Sequence, residues 1–579
     1  MTVPLSQYWS LLAKYLKGQI RLFVLLTLVL LSGIGLKLLI PQITRLFIDG
    51  AATGETLNRL LMLAMAFIGV AALQQLLSTG ATWTGEVVAW NATNKLRVDL
   101  ADHSLHLDMA FHKQKTPGEM IERLDEDVTS MARFFSQLVV IIGGDLLLVF
   151  GVLIMLFIED RWLGLAFSLF AIPSLFLLNR LREIAVPYEM KRREVIADLY
   201  GYLEERISGT EDIRSSGAVD YIINGLYRIQ SDLLIIWKKV QIRYWGLSVV
   251  SRTIIILGYG LAFTFSFYLF DRGRIGMGTA FMIVQYMNIL ARPLRQISDQ
   301  IQELQGVGAS IERIDELLKE RSSIFEGNKR MDHPGPLSVT FEDVTFGYDD
   351  GPVLKNVSFK LAQGKILGIL GRTGSGKTTL TRLICRLYDT QKGAIRIGGM
   401  DVRQICHKEL RDRVAMVTQD VQLFEASVRD NLTFFNDRIA DTLILDVLKQ
   451  VELWNWYSTL PNGLDTTLET GGRSMSAGEA QLLAFARVFL RNPDVVILDE
   501  ASSRLDPATE MRIERAMEKL LVNRTAMIIA HRLSTIQRAD DILILQEGAI
   551  IEQGPRASLL KNPDSHFFVL MNEAKEVVT

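Results

Sequence analysis

Two cysteines in a chain of 579 residues, Cys385 and Cys406, leave no material for a disulfide framework, and their spacing is not that of a zinc site. So few thiols suit a reducing cytosol. An excess of charge of either sign is also missing: 63 Lys and Arg stand against 65 Asp and Glu, and there is no basic tail. A nucleic-acid partner calls for a positive stripe, so none is expected. The apolar run beginning at Leu22 shows no small-residue cleavage site and continues past signal length, which argues against a secretory signal peptide.

What the chain has is apolar length. Its composition is 49% hydrophobic and its mean hydropathy is +0.20, high for a wholly soluble enzyme, and 579 residues exceed a single core. Six apolar stretches, at residues 22–48, 61–85, 136–158, 162–179, 250–270 and 277–292, each come near the length that a bilayer requires. The joins after the first, third and fifth are short. Residues 91–133 and 180–244 are long and rich in Lys and Arg, so the positive-inside rule puts them and both termini in the cytosol. This makes the chain a multi-pass protein of the cell membrane. Arg272 and Arg274, on a short outer loop, run against that rule. Residues 5–19, with Tyr8, Trp9, Leu12 and Tyr15 among Lys14 and Lys17, read as an amphipathic helix lying on membrane lipid.

Both long segments keep helical spacing, as membrane helices continuing into the cytosol would, and Pro117-Gly118 is expected to break the first of them. Residues 1–320 therefore read as an α-helical membrane domain with long cytosolic extensions. Residues 321–337, polar with Gly327, Pro334 and Gly335, read as a linker. From residue 338 short strands alternate with helices to the end at 579, the pattern of an α/β domain.

That domain carries Gly371-Arg372-Thr373-Gly374-Ser375-Gly376-Lys377-Thr378, which fits the P-loop pattern and follows the apolar run 366–370. The glycines let consecutive backbone N–H groups converge on a phosphate at a helix start, Lys377 adds a point charge, and the Thr378 hydroxyl is placed for Mg²⁺. A plain glycine-rich turn is the competing reading. The strand 495–498 ends in Asp499 and Glu500, which suits a Mg²⁺ contact and a water-polarising carboxylate. Small residues at 474–478 and Glu479 open a helical run, and Ser476 at such a start suggests a second anion site that a partner's nucleotide would use. His531 follows a further strand.

These residues, in this order, resemble the ATP-binding-cassette exporters, and the resemblance covers nearly the whole chain. It implies six membrane helices fused to an α/β P-loop nucleotide-binding domain, with ATP and Mg²⁺ as cofactors. By that resemblance Tyr348 stacks on adenine, residues Gly371 to Thr379 form the Walker A loop, and Gln419 is the Q-loop residue that senses Mg²⁺. Asp499 is then the Walker B carboxylate, Glu500 the general base, Asp506 the D-loop acid and His531 the switch histidine. Residues 117–127 and 309–318 resemble the exporter segments after the first intracellular loop's tip and after the sixth helix. Three departures stand out. The signature Leu-Ser-Gly-Gly-Gln appears as Met475-Ser476-Ala477-Gly478-Glu479, Arg504 replaces a small D-loop residue, and Thr470 falls where an acid is usual.

The resemblance implies ATP-driven export by alternating access, as one half of a dimer. A nucleotide-gated channel or a regulatory membrane ATPase is the alternative. The altered signature favours a heterodimer, with a homodimer still open. For the substrate, Asp145 in the third span and Lys37 in the first suggest a small amphipathic or lipid-like compound, because an isolated charge there costs about 2.5–3.5 kcal/mol unless it faces a cavity, a partner or the interface. Met277, Met282, Met287, Phe263, Phe265 and Phe267 read either as an adaptable lining or as ordinary packing, and Arg252 reads as a snorkelling residue.

Overall fold

The computed structural model describes residues 14–15, 17–136, 141–183, 186–331, 335–348, 351–469, 475–499, 507–529 and 536–578. Glu500, Asp506 and His531 lie outside the described residues, as do Thr470, Ser474 and Arg504. The chain divides into two units. One comprises Met1–His106 and Lys115–Glu320, the other Leu107–Gln114 and Arg321–Thr579.

The first unit is helical. Its long helices are α1 (Ile20–Ala52), α2 (Leu57–His106), α3 (Gly144–Glu159), α4 (Arg161–Glu183), α5 (Val219–Asp271) and α6 (Met277–Lys319). Five stretches among the described residues, in α1 to α5, are long and apolar enough to cross a membrane. The sixth expected span opens α6, where the apolar run stops at Arg292 and the helix continues with polar residues. Large apolar side chains such as Met65, Leu76, Phe176 and Phe267 point outward, the reverse of a water-soluble bundle. Arg272 and Arg274, the exceptions to the charge rule, are both engaged. The Arg272 guanidinium lies 4.4 Å from the Tyr268 ring centre, and Arg274 lies 3.9 Å from Asp160.

The helical segment is broken at Pro117-Gly118 as expected, and Pro117 itself opens the next helix. α2 stops at His106, and Thr116 caps the short helix Pro117–Ile121 by accepting from Glu119 N at 3.2 Å. Proline suits that first helical position, where its missing N–H has no intrahelical role. Beyond it, Asp127 is 1% exposed and accepts from Arg313 Nε at 2.8 Å, which ties residues 117–127 to the end of α6. Asp127→Ala should therefore cost about 1.5–3 kcal/mol, the scale of a charge-assisted hydrogen bond, because Arg313 is partly exposed and is rehydrated when the carboxylate is lost. Its melting midpoint is expected to fall by roughly 2–5 °C if the membrane unit melts as one body. Asp125→Ala, which breaks an exposed pair with Arg97, should move the midpoint by less than about 2 °C.

The second unit holds two sheets. An antiparallel sheet has the order β2-β1-β4-β5, with β1 Val339–Tyr348, β2 Gly351–Leu361, β4 Lys392–Ile397 and β5 Met400–Asp401. The larger sheet has the order β10-β9-β3-β8-β7-β6, where β3 is Ile366–Leu370, β6 Val414–Val417, β7 Val495–Asp499, β8 Thr525–Ile529, β9 Asp541–Gln546 and β10 Ala549–Pro555. Strands β3, β6, β7, β8 and β9 are parallel. Val496 and Leu498 pack into one core while Val495 and Ile497 pack into another, so the sheet is covered on both faces. Strands buried in this way read as unbroken apolar runs, which is how β3, β7 and β8 appear in the chain.

Candidate nucleotide site and intramembrane charges

Parallel pairing brings the carboxyl ends of β3, β8, β7 and β6 to one edge of the larger sheet. β8 lies between β3 and β7, so the loop after Leu370 and the carboxylate of Asp499 stand about 10 Å apart at that edge. The P-loop turns there through Gly371 (φ 152°), Gly374 (φ 83°) and Gly376 (φ 105°), a backbone path that side chains disfavour. Gly376 precedes helix α7 (Lys377–Ile384) and gives it no side-chain cap, so the first N–H groups of α7 are left to a ligand. Ser375 Oγ is buried without a hydrogen-bond partner. Lys377 Nζ donates to Gly371 O at 2.7 Å and to Arg372 O at 3.0 Å. Arg372, Thr373, Gly374 and Thr378 are exposed along the loop. Uncapped donors, an orphaned hydroxyl and a buried ammonium fit a nucleotide phosphate.

Gln419 is exposed just after β6, at the same edge. No three His, Cys, Asp or Glu side chains converge among the described residues, so a divalent ion held by Thr378, Asp499 and Gln419 would take its other ligands from nucleotide and water. Tyr348 ends β1, with Phe346 and Tyr388 edge-on to it. Its hydroxyl is 3.4 Å from Thr379 Oγ1, and Lys113 Nζ sits 4.4 Å from its ring centre. Residue spacing alone did not suggest Lys113, because it stands 235 positions before the ring it covers only when the chain folds.

Ser476 caps helix α8 (Ala477–Arg491). Its Oγ accepts from Glu479 N at 3.2 Å and donates to Glu479 Oε2 at 2.9 Å, and the same carboxylate oxygen accepts from Ser476 N at 2.9 Å. The acid in the altered signature thus closes a capping box and engages the serine proton. The spacing Ser-x-x-Glu was a readable sign of it. Gly478 is buried in the first turn. Farther along α8, the buried Arg487 donates to Gln422 O at 3.0 Å and Asn431 O at 2.7 Å, holding the chain beyond Gln419 against this helix. Desolvation lowers the Arg487 guanidinium to about 10, still charged at neutral pH. Both cysteines are free thiols, and burial pushes Cys385 up to about 12, which leaves it inert.

In the membrane unit the Met and Phe candidates separate. Met282 and Met287 are fully buried among α3, α4, α5 and α6, whereas Phe263, Phe267 and Met277 are exposed. They do not form a common lining. Arg252 is exposed on α5, and the cation that joins Lys37 and Asp145 electrostatically is Arg292.

A helical unit with outward apolar faces, fused to a P-loop domain, defines a membrane transport ATPase. The chain belongs to the ABC transporters: the family described as ABC transporter matches residues 354–503, and the ABC transporter transmembrane region matches residues 22–294. It is an exporter-type half-transporter with an ATPase domain. It is 31% identical over 468 residues to a fatty acid ABC transporter ATP-binding/permease protein of Mycobacterium bovis, covering 80% of this chain and 74% of the relative. An ATP-dependent lipid A-core flippase of Idiomarina loihiensis is 29% identical over 543 residues, 92% of this chain and 91% of the flippase. In fold it is similar to a bacterial Atm1-family ABC exporter with ATP bound, with a TM-score of 0.81, 24% identity, and coverage of 96% of this chain and 98% of the other.

Proposed function

We propose that this chain binds ATP and Mg²⁺ at residues 371–379, Tyr348, Gln419 and Asp499, and exports a small amphipathic or lipid-like compound by alternating access. The P-loop carries the reading, with its buried Lys377 and uncapped helix start joined in one chain to lipid-facing helices. The relatives named for fatty acid and lipid A-core transport support the substrate class. Bound Mg²⁺ supplies charge neutralisation at the phosphates. Lys377 holds the phosphates in place, Glu500 takes the proton of the attacking water, and His531 steadies the charge that develops. The domain acts in the cytosol with both termini, and the membrane is the cell membrane. Reconstituted vesicles test the export: ATP-dependent accumulation of a lipid-like probe against its gradient is expected, and a passive ATP-gated current without accumulation would defeat the reading.

The partner is a second half-transporter, and a heterodimer fits the signature best. Ser476, Gly478 and Asp506 would face the partner's ATP, where Glu479 adds negative charge and holds the Ser476 hydroxyl proton. This chain's own P-loop then works against the partner's signature. Restoring Ala477→Gly together with Glu479→Gln should change turnover of the heterodimer by less than about threefold, a shift of under about 1 kcal/mol. A homodimer of this chain alone with full, substrate-stimulated ATPase activity would overturn the assignment.

A further inference from the structure

We propose that Lys113 is a plug on the ring of Tyr348: its ammonium holds the face on which a nucleotide base stacks, and ATP enters by displacing it. The inference rests on the nucleotide reading and adds to it a residue that sets how tightly the base is held.

The ring itself is fixed on two sides. At its hydroxyl end, Tyr348 Oη lies 3.4 Å from Thr379 Oγ1 and accepts from Arg382 Nη1 at 3.3 Å, both residues of α7, the helix that opens at the P-loop. On its core side the Phe346 and Tyr388 rings stand nearly perpendicular to it, at centroid separations of 5.1 and 5.2 Å, and Tyr348 packs against the buried cluster that contains Phe346. A flat ligand arriving from solvent can therefore stack only on the side that solvent reaches.

That is the side of Lys113. It is exposed near the end of the short helix Met109–Gln114, and its Nζ lies over the ring, 4.4 Å from the centre. A stacked base would lie about 3.5–4 Å above the same ring, the contact separation of carbon atoms, so ammonium and base compete for one layer. Among the described residues no carboxylate pairs with Lys113, which leaves the electron-rich face of the ring to position its charge.

Of the two partners, the lysine is the one that yields. The segment before it has its own anchors: Asp108 Oδ2 accepts from Ser323 N at 2.9 Å and from Ser323 Oγ at 2.7 Å, and Tyr388 Oη donates to Met109 O at 3.4 Å. Displacing Lys113 thus takes a rotation of its flexible stem and leaves those contacts in place. An exposed cation–π contact weakens a competing base about two- to fivefold. By reciprocity, bound ATP loosens the hold on Lys113 by the same factor. Residues 107–114 are flanked in the chain on both sides by residues of the membrane unit, so nucleotide occupancy is felt at the end of a segment covalently continuous with that unit.

Equilibrium titration of the full chain in nanodiscs, without Mg²⁺ so that no ATP is hydrolysed, tests this with ATP and with inorganic tripolyphosphate, which offers phosphates and no base. Lys113→Ala should tighten ATP about two- to fivefold and leave tripolyphosphate unchanged. Lys113→Arg, whose guanidinium also stacks on the ring, should bind ATP no tighter than the parent. In a Tyr348→Leu background Lys113→Ala should change nothing, because the contest is for the ring. Equal weakening of ATP and tripolyphosphate in Lys113→Ala would overturn the plug and make Lys113 a charge that attracts phosphate. ATP binding that Lys377→Met weakens but Lys113→Ala fails to tighten would defeat the plug alone, whereas a parent chain that binds no ATP would defeat the nucleotide reading with it.

Discussion

Lys377→Met should lower ATP turnover about a hundred- to a thousandfold, the scale on which one preorganised donor to developing charge contributes. The ammonium is 6% exposed and is aimed over the loop by Gly371 O and Arg372 O, so its position is set before nucleotide arrives. Methionine keeps the packed stem and removes only the charge, which separates electrostatics from folding. Steady-state phosphate release and binding of a fluorescent ATP analogue measure the two consequences, and both should fall. Glu500→Gln is the informative contrast: turnover should drop comparably while ATP binding persists, because the phosphate cradle is unchanged and only the proton acceptor is lost. Turnover within about fivefold of the parent in Lys377→Met would mean that this loop does not hold the hydrolysed phosphate.

The second large effect is expected from Gly371→Ala. A methyl group there would lie 2.3 Å from Leu545 O, a backbone atom that cannot swing away, and 2.6 Å from Ser375 Oγ. The φ of 152° adds conformational strain of about 1–3 kcal/mol. Relief requires the loop to leave β9, which spoils the convergence of its N–H groups, and ATP affinity should fall about a hundredfold. Gly374→Ala makes the comparison sharp. It also has a positive φ, 83°, but its added methyl meets nothing within 4 Å, so only the conformational cost of about 1–2 kcal/mol applies. Titration with fluorescent ATP should rank parent, Gly374→Ala and Gly371→Ala in that order. The reverse order for the two variants would show that crowding at β9 does not set the loop.

Contiguous residues carried most of what could be read in advance. A membrane span is about twenty apolar residues in a row, a buried parallel strand is a short unbroken apolar run, and a P-loop is eight neighbours on one turn. Each property is local, so α1 to α5, β3, β7 and the cradle around Lys377 were legible without coordinates. The capping box of Ser476 and Glu479 was equally local, though its effect on the serine proton needed the geometry. Pro117 shows where local reading stops, because proline both ends helices and begins them, and only the cap from Thr116 decides which.

Packing decided the rest. Asp127 and Arg313 are 186 positions apart, and nothing in either segment announces the other. Lys37 and Asp145 could be placed on membrane helices in advance, but which neighbours they face could not. Depth follows from counting residues, but facing does not. One residue more or less turns a helix by about 100°, enough to carry a charge from a shared face to the opposite side, and only the burial of Leu38, Leu148 and Leu290 together fixes that angle.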